Sequence, residues 1–161
     1  MNTLKKIEII SLLQKNNISF SITEHSAVYT IDDKDKINFS QQGIICRNLF
    51  LQNNNSSHYY LITMAPNNRI DLKKLATIIG SSRLSFAPEK HMEQLLGVST
   101  GCVTPLALIG NNNNTITWIT DTSLLEERIG IHPNTNTTTV WLSFKDLQDL
   151  LKSYGFIPIF L

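Results

Sequence analysis

Two segments with strand character, joined by a short asparagine-rich turn, occupy the middle of the sequence. Residues 43–51 carry one charged side chain, that of Arg47, and residues 59–64 carry none. The run between them, residues 53–57, begins with three asparagines. Asparagine suits turns because it tolerates left-handed backbone and hydrogen-bonds to its own chain. Two strands joined by so short a turn form a hairpin, and the sequence therefore favours hairpins over repeated βαβ units.

Helices with clear start and stop residues accompany this hairpin. Asp71 is a good N-cap and Gly80 a good stop for one of them, and Ser143 with Asp146 resembles a capping box that opens the last. The predicted helices are a first one that ends at residues 16–17, then 72–79, 89–96 and 144–153. The predicted strands cover residues 18–22, 43–51, 59–64, 83–86, 103–109, 115–119 and 137–142. This mixture predicts an α+β fold, a single domain over residues 1–161 with a mixed, mostly antiparallel sheet and flanking helices.

Length and charge exclude several classes of protein. The chain has 161 residues and a formal net charge of +1, which argues against a protein that coats nucleic acid, because such binding requires many lysines and arginines. It leaves room for a protein that holds only the end of a nucleic acid.

Cys46 and Cys102 form no metal-binding motif, so we expect buried thiols and no zinc. With no convincing signal peptide and no apolar run of about 18 residues, we expect a cytoplasmic protein without membrane contact.

No common nucleotide-binding or hydrolase motif is present: the sequence contains no GxxxxGK[ST], GxGxxG, GxSxG or HExxH. The loop from Gly101 to Pro105 has a glycine that permits close approach of the backbone to a ligand and a proline that fixes its exit. Such a loop could direct backbone N–H groups at a carbonyl oxygen. An ordinary turn into the strand predicted over 103–109 explains the spacing better.

His132 stands in a loop rich in short polar side chains, directly before a proline. Histidine ordinarily titrates near neutral pH, so His132 could act as a general base or orient water. A loop histidine that hydrogen-bonds to backbone explains the pattern equally well.

Arg47 lies inside an otherwise apolar strand, where a charge must reach the surface or find a partner. Arginine grips phosphate with two parallel hydrogen bonds. An outward-facing side chain on a half-exposed strand is the simpler explanation. After the first strand, Val28, Tyr29 and Thr30 could line a pocket.

Several short segments, taken in order, resemble one family. They are Asn48-Leu49-Phe50-Leu51, Asp71-Leu72-Lys73-Lys74-Leu75-Ala76, Arg83-Leu84-Ser85-Phe86-Ala87, Leu96-Gly97-Val98, Gly101-Cys102-Val103-Thr104-Pro105-Leu106, and His132-Pro133 with Asn136-Thr137. Together they resemble the YbaK/prolyl-tRNA-editing family and, within it, the freestanding PrdX-type members related to the editing insertion domain of bacterial prolyl-tRNA synthetases. The resemblance extends from about His25 to the C-terminal helix.

The resemblance implies a curved mixed sheet and hydrolysis, without a cofactor, of the ester that joins a wrong amino acid, usually alanine, to proline tRNA. The aminoacylated 3′ end of the tRNA is then the partner, with prolyl-tRNA synthetase as a further one. The resemblance implies catalytic roles for His132, Arg47 and Gly101. The positions it implies for substrate binding are Val28, Thr30, Asn48, Pro105 and Asn136.

The sequence departs from the family pattern at two of these motifs. Arg47 stands where the family normally has a lysine, and Ser26 replaces the proline that commonly follows His25. Arginine keeps the charge but cannot place a compact ammonium in the same position. Two alternatives therefore accompany the alanyl substrate: a cysteinyl, seryl or threonyl ester, and a non-catalytic module that binds tRNA or synthetase.

Overall fold

The computed structural model describes residues 3–27, 43–111 and 114–161. Within these ranges the chain forms four α-helices, α1 Lys6–Lys15, α2 Leu72–Ile79, α3 Glu89–Leu96 and α4 Phe144–Ser153. The nine strands in the same ranges are β1 Phe20–Glu24, β2 Ile44–Ile45, β3 Arg47–Gln52, β4 Tyr59–Met64, β5 Ser85–Phe86, β6 Ile116–Thr120, β7 Arg128–Ile131, β8 Thr138–Ser143 and β9 Ile159–Phe160. Two short 3₁₀ turns cover Pro105–Leu108 and Thr122–Leu124.

The strands form two mixed sheets. One has the order β1-β8-β7-β2 and the other the order β5-β3-β4-β6-β9. The pairs β2/β7, β4/β6 and β6/β9 are parallel, and the remaining four pairs are antiparallel. The predicted α+β class with a mixed sheet is confirmed. The strands divide between two sheets where the sequence suggested one.

The division between the sheets falls at Cys46, inside the segment predicted as one strand. β2 pairs with β7, whereas β3 pairs with β4 and β5. Between β2 and β3, the amide of Cys46 donates to the backbone oxygen of Gly130 at 3.0 Å, and its side chain is buried in the core. Arg47, the next residue, therefore begins the second sheet directly beside the first.

The main core fills the space between the two sheets and under α1 and α4. Alternate residues of the five-stranded sheet, such as Phe50, Leu61 and Trp118, belong to this core. The residues between them, such as Leu51 and Ile62, form a second cluster under α2 on the opposite face. This alternation follows from the two-residue period of a strand and fixes which strand residues face the four-stranded sheet.

Local signals predicted most elements correctly, but the strand predicted over residues 103–109 was wrong. The carboxylate of Asp71 caps α2, and Gly80 ends it in a left-handed conformation. Residues 103–109, predicted as a strand, instead contain the buried 3₁₀ turn from Pro105 to Leu108. The physical reason is that Pro105 has no N–H to donate to a sheet, while the hydroxyl of Thr104 accepts from the amide of Leu106 and caps the turn.

Candidate active site

The hairpin of β7 and β8 carries the histidine that the sequence singled out. His132 directly follows β7 and is only 9% exposed. Its Nδ1 lies 3.1 Å from the backbone oxygen of Thr138. Because a carbonyl oxygen only accepts, Nδ1 carries the proton and Nε2 is the basic nitrogen of the neutral ring. His132 thus makes the backbone hydrogen bond expected of a structural histidine, and its Nε2 is also suited to accept a proton.

A second histidine, to which the sequence patterns gave no role, lies beside the first. His25 follows β1, and its amide continues the β1/β8 ladder by donating to the backbone oxygen of Thr137 at 3.0 Å. The His25 and His132 ring centroids are 6.2 Å apart, with an angle of 53° between the planes. His25 Nδ1 lies 2.8 Å from the Ser26 oxygen, and its Nε2 lies 2.9 Å from the Thr139 hydroxyl. These contacts fix the ring, so His25 is suited to positioning.

A carboxylate supports the same end of β8. Glu24 accepts from the Thr138 hydroxyl at 2.8 Å and from the ammonium of Lys6 at 2.5 Å. The hydrogen bond from Lys6, followed by that from Thr138, lowers the pKa of Glu24 below its ordinary value. The side chain of Thr138 therefore binds the ionised carboxylate of Glu24, and its carbonyl oxygen binds His132.

Arg47 and Asn48 lie at the junction of the two sheets. The hydrogen bond from Cys46 to Gly130 brings the start of β3 within two residues of His132 along β7. Consecutive strand residues face opposite sides, so Asn48 shares the inter-sheet face with Phe50, while Arg47 lies on the α2 face. Both residues are half-buried. The side chain of Arg47 is therefore only partly exposed, whereas the sequence suggested an outward-facing arginine.

A row of polar side chains crosses the inner face of the five-stranded sheet at this junction. Asn48 pairs with Thr63, and Thr63 pairs with Thr120. Thr63 and Thr120 are fully buried, and the Thr63 hydroxyl accepts from the indole N–H of Trp118 at 3.1 Å. The Oδ1 of Asn48 and the hydroxyl of Thr120 are buried, and neither has a hydrogen-bond partner within the described ranges. Native proteins rarely leave such atoms unpaired, so this row could bind a polar ligand group. The sequence did not predict the two threonines, since only strand register reveals the row.

The Gly101–Pro105 loop lies on the same core but supplies fewer donors than the sequence suggested. Gly101 adopts a left-handed conformation with φ of 86°, and Pro105 begins the buried 3₁₀ turn, which packs against β4. The amide of Cys102 donates to the backbone oxygen of Ser99 at 3.0 Å and is therefore not an oxyanion donor. Any carbonyl polarisation by this loop must come from its other amides.

The remaining predicted site residues divide between the β7/β8 turn and the part of the chain that is not described. Asn136 is half-buried in the turn that carries His132. Val28 and Thr30 lie outside the described residues.

Across the described ranges, no cluster of three or more metal-binding side chains occurs. In the same ranges, no helix has the length and apolar character needed to cross a membrane.

Known proteins resemble this chain over most of its length. The family model "Aminoacyl-tRNA editing domain" matches residues 25–150. The prolyl-tRNA editing protein ProX of Acetoanaerobium sticklandii is 33% identical over 151 residues, which cover 93% of this chain and 92% of that protein. The prolyl-tRNA synthetase associated domain-containing protein 1 of Bos taurus is 34% identical over 149 residues, 89% of this chain and 86% of the other.

Solved structures share the fold at lower identity. The crystal structure of a candidate trans-editing enzyme for prolyl-tRNA synthetase superposes with a TM-score of 0.71 at 20% identity, covering 99% of this chain and 98% of the other. The matched family model and the full-length relatives agree with the resemblance found in the sequence motifs. The chain therefore belongs to the prolyl-tRNA editing family of aminoacyl-tRNA deacylases.

Proposed function

We propose that this chain hydrolyses the ester of mischarged proline tRNA in trans, with alanyl-tRNA(Pro) as its principal substrate. The observation that carries the proposal is the buried His132, whose Nδ1 is held by the Thr138 carbonyl so that Nε2 is the basic nitrogen. The choice of alanine rests on the resemblance to PrdX-type members. Family membership supports the reaction class.

The reaction requires a positioned water more than a protein nucleophile, because an aminoacyl ester is already activated. In the proposed step, Nε2 of His132 accepts a proton from water while the water oxygen attacks the ester carbonyl. The tetrahedral intermediate then expels the ribose oxygen, which takes the proton from His132. General-base assistance of this kind typically contributes about 10²- to 10⁴-fold.

Arg47 would bind the phosphate of the terminal adenosine, and the Gly101 loop would polarise the ester carbonyl. The position of Arg47 at the sheet junction, next along the chain to the hydrogen bond between Cys46 and Gly130, supports this assignment. Its guanidinium can bind two phosphate oxygens at once. Asn48, Pro105 and Asn136, with Val28 and Thr30, would line the aminoacyl pocket.

Substitution at Arg47 tests this role directly. If the side chain anchors phosphate, Arg47→Lys keeps most of the deacylation rate and Arg47→Ala raises KM at least about tenfold, since only the second removes the charge. Lys90→Glu, on the exposed side of α3, is a matched control at another surface. A wild-type KM in Arg47→Ala contradicts the assignment.

A panel of mischarged tRNAs tests the substrate. Proline tRNA carrying alanine, cysteine, serine or threonine is compared with correctly charged prolyl-tRNA(Pro), and deacylation is followed over several turnovers. A pocket separates a methyl from a hydroxyl or thiol only weakly, often about 100-fold, so the ranking rather than one rate identifies the substrate. Fastest turnover of another ester replaces the alanyl assignment. Binding without turnover of any member indicates a non-catalytic module.

Residues 1–161 would form one editing domain, supported by an apolar core that includes residues of both sheets and of α1 and α4.

The aminoacylated 3′ end would enter the site, with prolyl-tRNA synthetase as the enzyme whose errors are removed. The protein would act in the cytoplasm, where its substrate is made. Co-purification with the synthetase, with and without tRNA, tests the partnership.

A further inference from the structure

The net charge of this chain is unevenly distributed along the sequence. Between residues 47 and 83 the sequence has five cations and one anion, Asp71, a formal charge of +4. The whole chain carries +1, so the remaining residues carry −3. The near-neutral total therefore hides a strong asymmetry, and such asymmetry is typical of surfaces that bind polyanions.

Four of the five cations lie around α2 on the outer face of the five-stranded sheet. Arg69 precedes the helix, Lys73 and Lys74 lie in its first turn, and Arg83 follows it; we call these four residues the basic face. All four are exposed. The helix buries Leu75 and Ala76 against the sheet, and both lysines remain exposed to solvent.

No ion pair neutralises the cations of the basic face within the described chain. Across residues 3–27, 43–111 and 114–161, none of the four charged groups forms an ion pair with a carboxylate. The carboxylate of Asp71 accepts instead from the backbone amides of Lys73 and Lys74, at 3.0 and 3.2 Å. Cations in the first turn of a helix are also opposed by its dipole, so the cluster costs stability in the free protein.

A cavity lies beside the basic face at Arg69. It measures about 420 Å³ and is lined by Met64, Arg69 and Asp121 among others. Met64 is the residue that pairs with Arg47 across β3 and β4, and both lie on the α2 face. A nucleic acid whose end reached Arg47 could therefore continue over α2.

We propose that the basic face binds the phosphate backbone of the tRNA acceptor stem; this inference rests on the proposed function. The eight residues of α2 span about 12 Å. A nucleic-acid duplex carries one negative charge per about 1.7 Å of its axis, or about seven over that length. Four unpaired cations match such a surface, and they read no base sequence because phosphate contacts only position a nucleic acid.

Binding of a labelled, uncharged proline tRNA transcript to the full chain tests the surface apart from catalysis. The double variant Lys73→Glu/Lys74→Glu should weaken binding at least about tenfold. It should also reduce the slope of log K against log salt by about 2, close to one for each lost contact. Glutamate is favourable in a first helical turn, so the variant should fold, and its circular dichroism and thermal unfolding check this. The matched control is Lys90→Glu/Lys152→Glu, which reverses two exposed helical charges elsewhere.

Each outcome bears on the surface alone. Weakened binding with a smaller slope, seen in the basic-face variant and not in the control, supports the proposal. Equal binding of both double variants overturns it and leaves the deacylase proposal intact. A wild-type chain that deacylates mischarged tRNA but does not bind the transcript also overturns it, and an acidic protein surface then becomes the partner. Failure of the deacylase proposal is seen separately, in the mischarged tRNA panel.

Discussion

His25 and His132 lie with their ring centroids 6.2 Å apart, and adjacent residues of β8 hold both of them. The hydroxyl of Thr139 bonds to His25 Nε2, whereas the backbone oxygen of Thr138 bonds to His132 Nδ1. One histidine thus depends on a side chain of β8 and the other on its main chain. The start of β8 therefore sets the relative position of the two rings.

Replacement of His132 by asparagine should abolish most of the activity with little effect on folding. In His132→Asn the new side-chain amide can still donate to the Thr138 oxygen, but no nitrogen remains to accept a proton. We expect kcat for mischarged tRNA to fall by about 10²- to 10⁴-fold. His58→Asn is the control, because His58 contacts the hydroxyl of Thr117 on the other sheet. A wild-type kcat in the His132 variant would exclude it as the base.

Thr139→Val should impair positioning through His25. The substitution conserves shape but removes the hydroxyl that lies 2.9 Å from His25 Nε2. Small displacements of a positioning group can cost about 100-fold in rate, and we expect kcat to fall by about 10- to 100-fold, with an altered pH profile. Thr117→Val removes the equivalent bond to His58 at 2.8 Å and should leave both unchanged. An unaltered pH–rate profile in Thr139→Val would show that His25 has only a structural role.

The sequence predicted elements with local signals and missed those defined by distant partners. The bounds of α2 follow from Asp71 and Gly80, and those of β4 from a mostly apolar run without charged residues. β7 was missed because a segment of four residues that includes Gly130 has no diagnostic pattern. It is a strand because β2 and β8 pair with it.

The candidate site shows the same limit. His132 was identified from the polar residues next to it in sequence. His25 was not, because the threonine that fixes its ring is 114 residues away. The row formed by Asn48, Thr63 and Thr120 likewise exists only through strand register.

Asp121 should stabilise the fold in a manner that depends on pH. Burial alone would raise the pKa of Asp121, but hydrogen bonds from Ser123, Ala65 and Asn68 hold it below the ordinary value of 3.8. Because the folded pKa is depressed, the stabilisation is fully present above pH 3.8 and is lost as the pH falls through the folded pKa.

We therefore expect Asp121→Asn to lower the free energy of unfolding by about 1–3 kcal/mol at pH 7, and the difference from wild type to shrink below about pH 4. Urea unfolding at several pH values measures it. Asp149→Asn, which removes an exposed ion pair with Lys145, should change stability by less than about 1 kcal/mol. A constant difference from pH 7 to pH 3 contradicts this account of Asp121.

Gly43 should tolerate a side chain less well than Gly80. A Cβ at Gly43 would lie 2.2 Å from the backbone oxygen of Arg128, where the chain enters β2 beside β7. At Gly80 a Cβ meets nothing within 4 Å, and only the left-handed conformation opposes it. We expect Gly80→Ala to cost about 1 kcal/mol and Gly43→Ala about 3 kcal/mol, as measured by thermal unfolding. Equal losses would show that β2 can move away from β7.

Thr63 and Thr120 should respond in opposite ways to replacement by valine. Both are fully buried neighbours in one row, but only the Thr63 hydroxyl has a partner within the described chain, the indole N–H of Trp118. Thr63→Val leaves that N–H unpaired and should lower the free energy of unfolding by about 1–3 kcal/mol. Thr120→Val removes an unpaired buried hydroxyl and should leave stability unchanged or raise it.

The KM of Thr120→Val distinguishes a substrate-binding role of this row from a purely structural one. If the row binds a polar group of the substrate, Thr120→Val should raise KM for mischarged tRNA at least about threefold while the protein becomes no less stable, because the bond it removes exists only in the complex. Both quantities are measured on the same preparation, by steady-state deacylation and by urea unfolding. A stabilised variant with an unchanged KM would place the substrate away from this row.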